Sequence, residues 1–281
     1  MKIRFMDLQF HNECNRSCWF CPPQCKNKPI KKEIMNIQTL NKIIEFINYL
    51  EKNNLINGVL SICTNRYNEP FCDYELYIKY IKYLYTKINH KKTVIACNTN
   101  GDFINSNIIE DVFNYIHHIT ISLYDNNLLY AIKFINKNFI NKNLIEKYIL
   151  NKNEYEISFF YKKVKVIIKY NRNETIKKIL RSRGSILNSN YTRTKKCDVL
   201  GNMLAFDYDG FISPCCDLYR GNKEHKKIFE EININDFENV VLFYKKASES
   251  IKDFYEKTLF EQTCKHCSST KENSMGSEIV L

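Results

Sequence analysis

Cys14-Asn-Arg-Ser-Cys18-Trp-Phe-Cys21 is the stretch that decides how this chain folds. It sets three thiols at Cys-x3-Cys-x2-Cys spacing just after a strand-like segment, residues 3–10, and has no fourth cysteine to close a tetrahedral site. Three thiolates on a four-iron cluster leave one iron open to a further ligand. The motif therefore predicts an iron–sulfur cluster with an open coordination position.

The cysteine spacing, with the aromatic Phe20 directly before the last thiol, resembles the signature of the radical SAM superfamily. In that family the open iron binds the amino and carboxylate groups of S-adenosylmethionine (AdoMet) and passes an electron into its sulfonium. The resemblance implies a core 4Fe–4S cluster on the three cysteines and places Phe20 in the AdoMet site. The competing interpretation is a zinc knuckle, with His11 or Cys25 as the fourth ligand.

The size and composition of the chain limit the class of protein to which it can belong. Its 281 residues suffice for one full α/β domain and a small appendage. No stretch approaches 18 uncharged apolar residues, and the first residues lack the apolar core of a secretory signal, so we expect no membrane span. With twelve cysteines and no export signal, we expect a cytoplasmic protein whose clustered thiols bind metal. The formal charge of +11 is spread along predicted helices, which favours a solvated surface over a nucleic-acid groove.

Strand-like and helix-like segments alternate along the chain. Predicted strands cover residues 3–10, 59–63, 93–97, 119–123, 156–161 and 164–170. Predicted helices cover a segment that begins after an Asn36 cap and residues 74–88, 108–116, 128–150 and 174–181. Such alternation predicts an α/β fold with a parallel sheet, whose ligands gather at the carboxyl ends of the strands. The family resemblance specifies this as a partial (β/α)6 barrel over residues 1–183.

Asn68-Glu69-Pro70 follows the second predicted strand, where the radical SAM family carries a Gly-Gly-Glu-Pro motif. Tyr67 and Asn68 stand here in place of both glycines. The resemblance implies that this segment meets the amino group of AdoMet, whereas the alternative interpretation is an ordinary Asn-Glu-Pro turn.

Polar residues also end the next predicted strands. The Thr-Asn100-Gly101 turn is similar to a Thr-Asn-Gly turn of the family, although Asn-Gly is in itself simply a good turn. The resemblance further assigns Ser122 and Asn171 to the ribose and carboxylate of AdoMet.

A second cysteine set, Cys197, Cys215, Cys264 and Cys267, lies near the C-terminus. Residues 207–217 are typical of a β-hairpin with an Asp-Gly turn, which would bring Cys215 beside Cys197. A Cys-x17-Cys pair followed by Cys-x2-Cys resembles the Twitch domain, the shortened form of the SPASM appendage. That resemblance implies a second, auxiliary 4Fe–4S cluster on these four cysteines.

The same resemblance divides the chain into a core barrel, residues 1–183, and an auxiliary domain, residues 184–281. Two alternatives remain open for the second domain. Its spacing also permits a four-cysteine zinc site. Cys216 competes with Cys215 for one ligand position, and the count from Gly210 favours Cys215.

Besides Cys25 and Cys216, three cysteines belong to neither set. Cys63 and Cys97 end the second and third predicted strands, and Cys72 follows the Asn-Glu-Pro segment. A thiol that faces the barrel mouth would be able to give a hydrogen atom to a substrate radical. The alternative role is that of a small apolar filler at the end of a buried strand.

The function predicted from these motifs is the oxidation of a substrate by a radical SAM oxidoreductase, with a flavodoxin- or ferredoxin-type reductant. Asp7, Gln9 and His11 share one face of the first strand, and we expect that face to contact substrate or AdoMet. The cysteine pattern resembles family members that oxidise aminocyclitol alcohols. The short segment before Cys14 favours a small sugar or cyclitol over a peptide, because it leaves no room for a leader-binding domain.

Two other functions remain open at this stage. The first is a radical SAM enzyme that epimerises or cross-links a ribosomal peptide, because peptide-modifying enzymes share the cysteine pattern. The second, of another class, is a zinc-binding interaction or nucleic-acid-binding protein.

Overall fold

The computed structural model describes residues 1–18, 21, 31–124, 126–139, 149–151, 155–170, 197, 199–220, 229–257 and 264. The strands in this part are β1 Ile3–Leu8, β2 Ile56–Cys63, β3 Thr93–Thr99, β4 His118–Leu123, β5 Ile149–Asn151, β6 Glu156–Tyr161, β7 Val164–Tyr170, β8 Met203–Phe206 and β9 Ile212–Ser213. The helices are α1 Ile37–Lys52, α2 Tyr74–Lys87, α3 Ser106–Val112, α4 Leu128–Asn138 and α5 Val240–Lys257, with short 3₁₀ turns at Pro70–Asp73 and Ile234–Asp236.

The strands form a single open sheet in the order β5-β6-β7-β4-β3-β2-β1-β8-β9. All pairings from β7 through β8 are parallel, and the three remaining pairings, at the two edges, are antiparallel. This arrangement confirms the predicted α/β class with a mostly parallel sheet that is not closed. The sixth parallel strand is β8, which comes from beyond residue 183 and lies beside β1.

The helices follow their predicted positions because their capping residues and apolar stripes are local signals. The Asn36 side chain accepts a hydrogen bond from the Gln38 N–H at 2.9 Å and starts α1. The stripe on α1 is fully buried at Leu40, Ile43 and Leu50. Helix α3 is shorter than the predicted 108–116.

The helix predicted over residues 128–150 is wrong at its C-terminal end. Helix α4 stops at Asn138, and the chain returns as strand β5. Phe139 is fully buried, and its ring packs edge-on to Phe159 and Tyr161, with ring centroids 5.1 and 5.2 Å away. Burial of this aromatic ring against β6 stabilises a non-helical backbone at Phe139, where the sequence pattern continues a helix.

The hairpin predicted over residues 207–217 is confirmed. Strands β6 and β7 pair antiparallel, as a ribbon, and β8 and β9 pair across the predicted Asp-Gly turn. The helix predicted at 174–181 lies outside the described residues, and the domain boundary after residue 183 stays a prediction. No helix among the described residues is long and apolar enough to cross a membrane.

The two faces of the sheet differ in character, and this difference locates the site. Asp7, Cys63, Ala96, His118 and Lys165 stand in one row across five parallel strands, on the inner face. Their neighbours along the strands point to the outer face, where the helices cover them. Fully buried residues of that outer face are Met6, Leu8, Ile62, Ile95, Cys97, Ile119 and Ile121. The inner face thus presents polar and small side chains, in contrast to the apolar outer face.

Candidate active site

The three core cysteines follow β1 and keep partly exposed side chains. The Cys21 N–H donates to the Cys18 carbonyl at 3.0 Å, which turns the loop back on itself. Burial raises the pKa of the Cys14 thiol. Phe20 lies outside the described residues. Three half-exposed thiols on one short loop fit the open three-cysteine ligand set that the motif predicts.

A charged bridge fixes the cysteine loop to the turn after β3. The Arg16 Nε donates to the Asp102 Oδ2 at 2.7 Å, and a second guanidinium nitrogen donates to Oδ1 at 2.5 Å. The Asn15 amide donates to the same carboxylate at 2.7 Å and accepts from the Asn100 amide at 2.7 Å. Bidentate arginine–carboxylate pairs hold both position and orientation. No sequence motif marks this bridge, because its partners are 86 residues apart.

Glu69 joins the loop after β2 to the same turn. Its buried carboxylate accepts from the Thr99 hydroxyl and the Asn100 N–H, both at 2.7 Å. The Glu69 N–H donates to the Glu13 carbonyl at 2.9 Å, beside the cysteine loop. Burial raises the pKa of Glu69 to about 7, against the opposing effect of its hydrogen bonds. Since both oxygens of Glu69 bind the protein, its predicted contact with the AdoMet amino group stays a prediction.

His11 and Asn68 make further contacts within and below the loop that contains Glu69. The Glu13 N–H donates to the His11 Nδ1 at 3.2 Å, so the ring proton is assigned to Nε2, which lies 3.4 Å from the Pro70 carbonyl. The Asn68 amide nitrogen is also 3.4 Å from Nε2, and its oxygen accepts from the Arg66 N–H at 3.1 Å. Both ring nitrogens of the fully buried His11 therefore face protein groups, in contrast to the zinc-ligand role considered for it.

Cys63 is the cysteine that the fold places on the inner face. Its thiol donates to the Asn65 side-chain oxygen at 3.4 Å and accepts from the Asn98 amide at 3.0 Å. Burial, followed by the nearby carboxylate of Asp7, raises the pKa of this thiol. Cys63 is therefore a neutral, oriented S–H group among the polar side chains of the inner face.

Asp7 lies beside Cys63 in the sheet. Burial raises the pKa of its carboxyl to about 7; the charge of Arg66 acts in the opposite direction and that of Asp217 in the same one. Within the described part of the chain, no group donates a hydrogen bond to this carboxyl. A carboxyl with these properties on the inner face is suited to bind a polar ligand or to accept a proton from it.

The other two unassigned cysteines lie elsewhere. Cys97 is fully buried on the outer face beside Tyr77, so the structure places it where a small apolar filler belongs and not at the barrel mouth. Cys72 sits in the 3₁₀ turn after Pro70, where its N–H donates to the Glu69 carbonyl at 3.1 Å. Burial, with the nearby Cys14 thiolate, raises the pKa of Cys72 to about 12.

The remaining predicted AdoMet residues are Ser122 and Asn171. Ser122 is half-buried on the inner face of β4, opposite Lys169 of β7. Tyr124, two residues on, lies under the Arg16 guanidinium at 5.3 Å from the ring centroid. Asn171 lies outside the described residues.

The second cysteine set gathers at the β8–β9 hairpin. The Asp207 N–H donates to the Phe211 carbonyl at 2.9 Å, and Gly210 adopts φ +90°, which favours glycine. Burial raises the pKa of Cys215, as do the nearby thiolates of Cys216, Cys264 and Cys197. The structure therefore brings three of the four predicted auxiliary ligands together.

The fourth predicted auxiliary ligand, Cys267, lies outside the described residues. Among the described residues, no three histidine, cysteine, aspartate or glutamate side chains are arranged to hold a single metal ion. A four-iron cluster is larger than one ion, and its thiolates stand farther apart.

We expect Cys215→Ala to lose or distort a cluster at this site, whereas Cys216→Ala should keep it, because the count from Gly210 favours Cys215 as the ligand. Iron analysis and electron paramagnetic resonance of the two variants measure this difference. The matched pair differs by one position in the same turn, and the reverse result would reassign the ligand to Cys216.

Solved structures that resemble this chain contain AdoMet. The structure of BtrN in complex with AdoMet and 2-DOIA matches with a TM-score of 0.59 and 17% identity, over 96% of this chain and 95% of BtrN. Native anSMEcpe with bound AdoMet matches with a TM-score of 0.51 and 14% identity, over 95% and 87%. Native anSMEcpe with bound AdoMet and Kp18Cys peptide matches with a TM-score of 0.52 and 13% identity, over 96% and 87%.

Comparisons by sequence gave no match: no family model and no curated protein matches this chain. The structural likeness, together with the three-cysteine loop after β1 and the cysteine hairpin after β8, confirms the fold that the motifs predicted. The chain thus has the fold of these AdoMet-bound structures, which is the radical SAM fold that its motifs predicted.

Proposed function

We propose that this chain is a radical SAM enzyme that oxidises a small polar substrate. The observation that carries this proposal is that hydrogen bonds of Arg16–Asp102 and of Glu69 join the cysteine loop to the loops after β2 and β3. These loops stand at the carboxyl edge of a parallel sheet, where such folds bind ligands. The core cluster would be held by Cys14, Cys18 and Cys21, and the auxiliary cluster by Cys197, Cys215, Cys264 and Cys267.

The core cluster, when bound, supplies the electron that splits AdoMet into methionine and a 5'-deoxyadenosyl radical. The protein groups around it act by positioning. The Arg16–Asp102 bridge and the Glu69 carboxylate hold three loops at fixed distances, so that AdoMet and substrate meet in one orientation. We further propose a flavodoxin- or ferredoxin-type protein as the reductant.

The inner face supports a small hydroxylated or aminated substrate. Asp7 there has no hydrogen-bond donor among the described residues, and the buried Nε–H of the nearby Arg66 has no acceptor among them. Buried polar groups are nearly always paired in folded proteins, so the unpaired Arg66 donor near a partly exposed carboxyl supports a ligand in this region. Sugars and cyclitols offer both kinds of partner.

Asp7 suits the oxidation of an alcohol carbon. Loss of a hydrogen atom from that carbon leaves a hydroxyl-substituted radical, which becomes a carbonyl when it gives up one proton and one electron. Asp7 is positioned on the inner face to take the proton, with a pKa of about 7 that lies near the working pH. The electron needs an acceptor, and electron acceptance is the chemistry that an auxiliary cluster supplies when bound.

Turnover in deuterated water tests this reaction, with 2-deoxy-scyllo-inosamine as the first substrate offered, because BtrN shares this fold and was solved with 2-DOIA. We expect a product two hydrogens lighter than the substrate and without deuterium at the reacting carbon. A product of unchanged composition that carries one deuterium there, lost in Cys63→Ala, would instead show an inversion with Cys63 as the hydrogen donor. Cys97→Ala is the matched control, because its thiol is sealed on the outer face.

The second candidate is a radical SAM enzyme that modifies a peptide. Its support is that anSMEcpe, which shares this fold, was solved with AdoMet and the Kp18Cys or Cp18Cys peptide. Release of 5'-deoxyadenosine that is stimulated by a peptide, and not by cyclitols, would favour this candidate. The zinc-binding alternative predicts colourless protein with zinc and no acid-labile sulfide after anaerobic purification.

A further inference from the structure

Arg66 lies between two loops. One is the Asn-Glu-Pro segment, residues 68–70, here called the AdoMet loop, and the other is residues 215–218, which include Cys215 and Cys216 and are here called the cysteine turn. The Arg66 guanidinium donates to the Asp207 carboxylate at 2.5 Å, to the Cys215 carbonyl at 3.1 Å and to the Leu218 carbonyl. The side chains of Arg66 and Asp207 are only 1% and 6% exposed. One buried cation thus holds a carboxylate of the β8–β9 hairpin and two carbonyls of the cysteine turn.

Tyr67 makes a second connection over the same gap. Its hydroxyl donates to the Cys216 carbonyl, and its buried ring packs edge-on to Tyr219 with ring centroids 5.3 Å apart. The Arg66 guanidinium lies 4.7 Å from the centre of the Tyr67 ring. We name these two residues, with their partner Asp207, the clamp.

The clamp is continuous with both sites. On one side, Asn68 follows Tyr67 in the chain, starts the Asn-Glu-Pro loop and accepts a hydrogen bond from the Arg66 N–H. On the other side, the carbonyls that accept from Arg66 and Tyr67 belong to Cys215 and Cys216. Removal of one partner of a buried pair leaves an uncompensated charge, so neither loop can shift without a large cost. A displacement of the cysteine turn must therefore move the AdoMet loop.

We propose that the clamp couples the two sites, so that an occupied auxiliary cysteine site strengthens AdoMet binding and bound AdoMet in turn strengthens the cysteine site. Arg66 and Tyr67 are positioning residues in this role. The inference rests on the proposed function, which supplies the two ligands. Coupling between sites is reciprocal, and couplings in proteins commonly change affinity by 5- to 150-fold.

A double-variant cycle measures the coupling through AdoMet affinity alone. Equilibrium dialysis with AdoMet is carried out on anaerobically reconstituted wild type, Cys264→Ala, Arg66→Met and the double variant. Loss of the auxiliary site through Cys264→Ala should weaken AdoMet binding about tenfold with Arg66 present, and hardly at all in the Arg66→Met background. The auxiliary resonance of Arg66→Met should also change its g-values, because the cysteine turn has lost its anchor.

Lys246→Met is the control, because it removes a positive charge from a partly exposed side chain that pairs with Glu230 and not with a clamp residue. It should leave the coupling intact. Tyr67→Phe removes a single hydroxyl, so it tests the clamp if Arg66→Met does not fold, and it should reduce the coupling. An equal effect of Cys264→Ala in both backgrounds, or no effect in wild type, would refute the clamp. Wild type that holds iron but does not bind AdoMet would refute the proposed function instead.

Discussion

Replacement of Cys14, Cys18 and Cys21 together by alanine is expected to remove about half of the iron and to abolish AdoMet cleavage. Wild-type protein with both clusters should hold roughly eight irons per chain, and the variant roughly four, because the two cysteine sets bind separately. Cleavage should vanish completely, since the proposed core cluster would deliver its electron to AdoMet at the open iron. Iron and sulfide analysis and the yield of 5'-deoxyadenosine measure the two effects.

Cys72→Ala is the matched control for this experiment. The Cys72 thiol is close enough to Cys14 for the Cys14 thiolate to raise the pKa of Cys72. Cys72 nevertheless does not belong to the Cys-x3-Cys-x2-Cys motif. We expect this variant to keep its iron and to cleave AdoMet. Unchanged iron and sulfide in the triple variant would contradict the assignment of the core cluster.

The features that the sequence predicted well depend on local signals. The alternation of strands and helices, the Asn36 cap and the Asp-Gly hairpin each involve residues within a few positions of one another. The three-cysteine loop is likewise one contiguous motif. These signals were enough to predict the mostly parallel sheet.

The features that the sequence did not predict depend on partners far apart in the chain. Arg66 and Asp207 are 141 residues apart, and neither stands in a motif that would mark it. The early end of α4 likewise depends on Phe139 meeting aromatic rings of β6. Strand β8 is short, and only its pairing with β1 shows that it extends the main sheet.

The inner face explains why Cys63 and Cys97, alike in sequence, differ in potential role. Each lies near the C-terminal end of a parallel strand, but side chains alternate between the two faces of a sheet. Cys63 shares a row with Asp7 and Ala96, whereas Cys97 shares one with Ile119. A shift of one position therefore separates a thiol on the polar inner face from one buried under the helices.

Asp7→Asn is expected to make the protein more stable and to abolish oxidation of the substrate. Burial raises the pKa of Asp7 from 3.8 to about 7, so the folded protein binds this proton more tightly than the unfolded chain does. Stability must then fall as the pH rises from about 4 to about 7, because ionisation favours the unfolded chain. A pKa raised to this extent corresponds to roughly 4 kcal/mol. Since the side chain keeps some exposure, we expect about 2 kcal/mol to be measured.

Urea unfolding of wild type and Asp7→Asn between pH 4 and pH 8 tests this prediction, with Asp253→Asn on the exposed face of α5 as the control. Glu69, whose pKa is also raised to about 7, contributes the same pH trend in every variant, so the difference between the curves isolates Asp7. The Asp7→Asn curve should diverge upward as the pH rises, whereas Asp253→Asn should stay within about 0.5 kcal/mol of wild type. Parallel curves would mean that Asp7 is solvated like a surface carboxylate. Diverging curves together with unchanged oxidation would show that Asp7, despite its raised pKa, does not accept the substrate proton. Another group would then have to accept that proton.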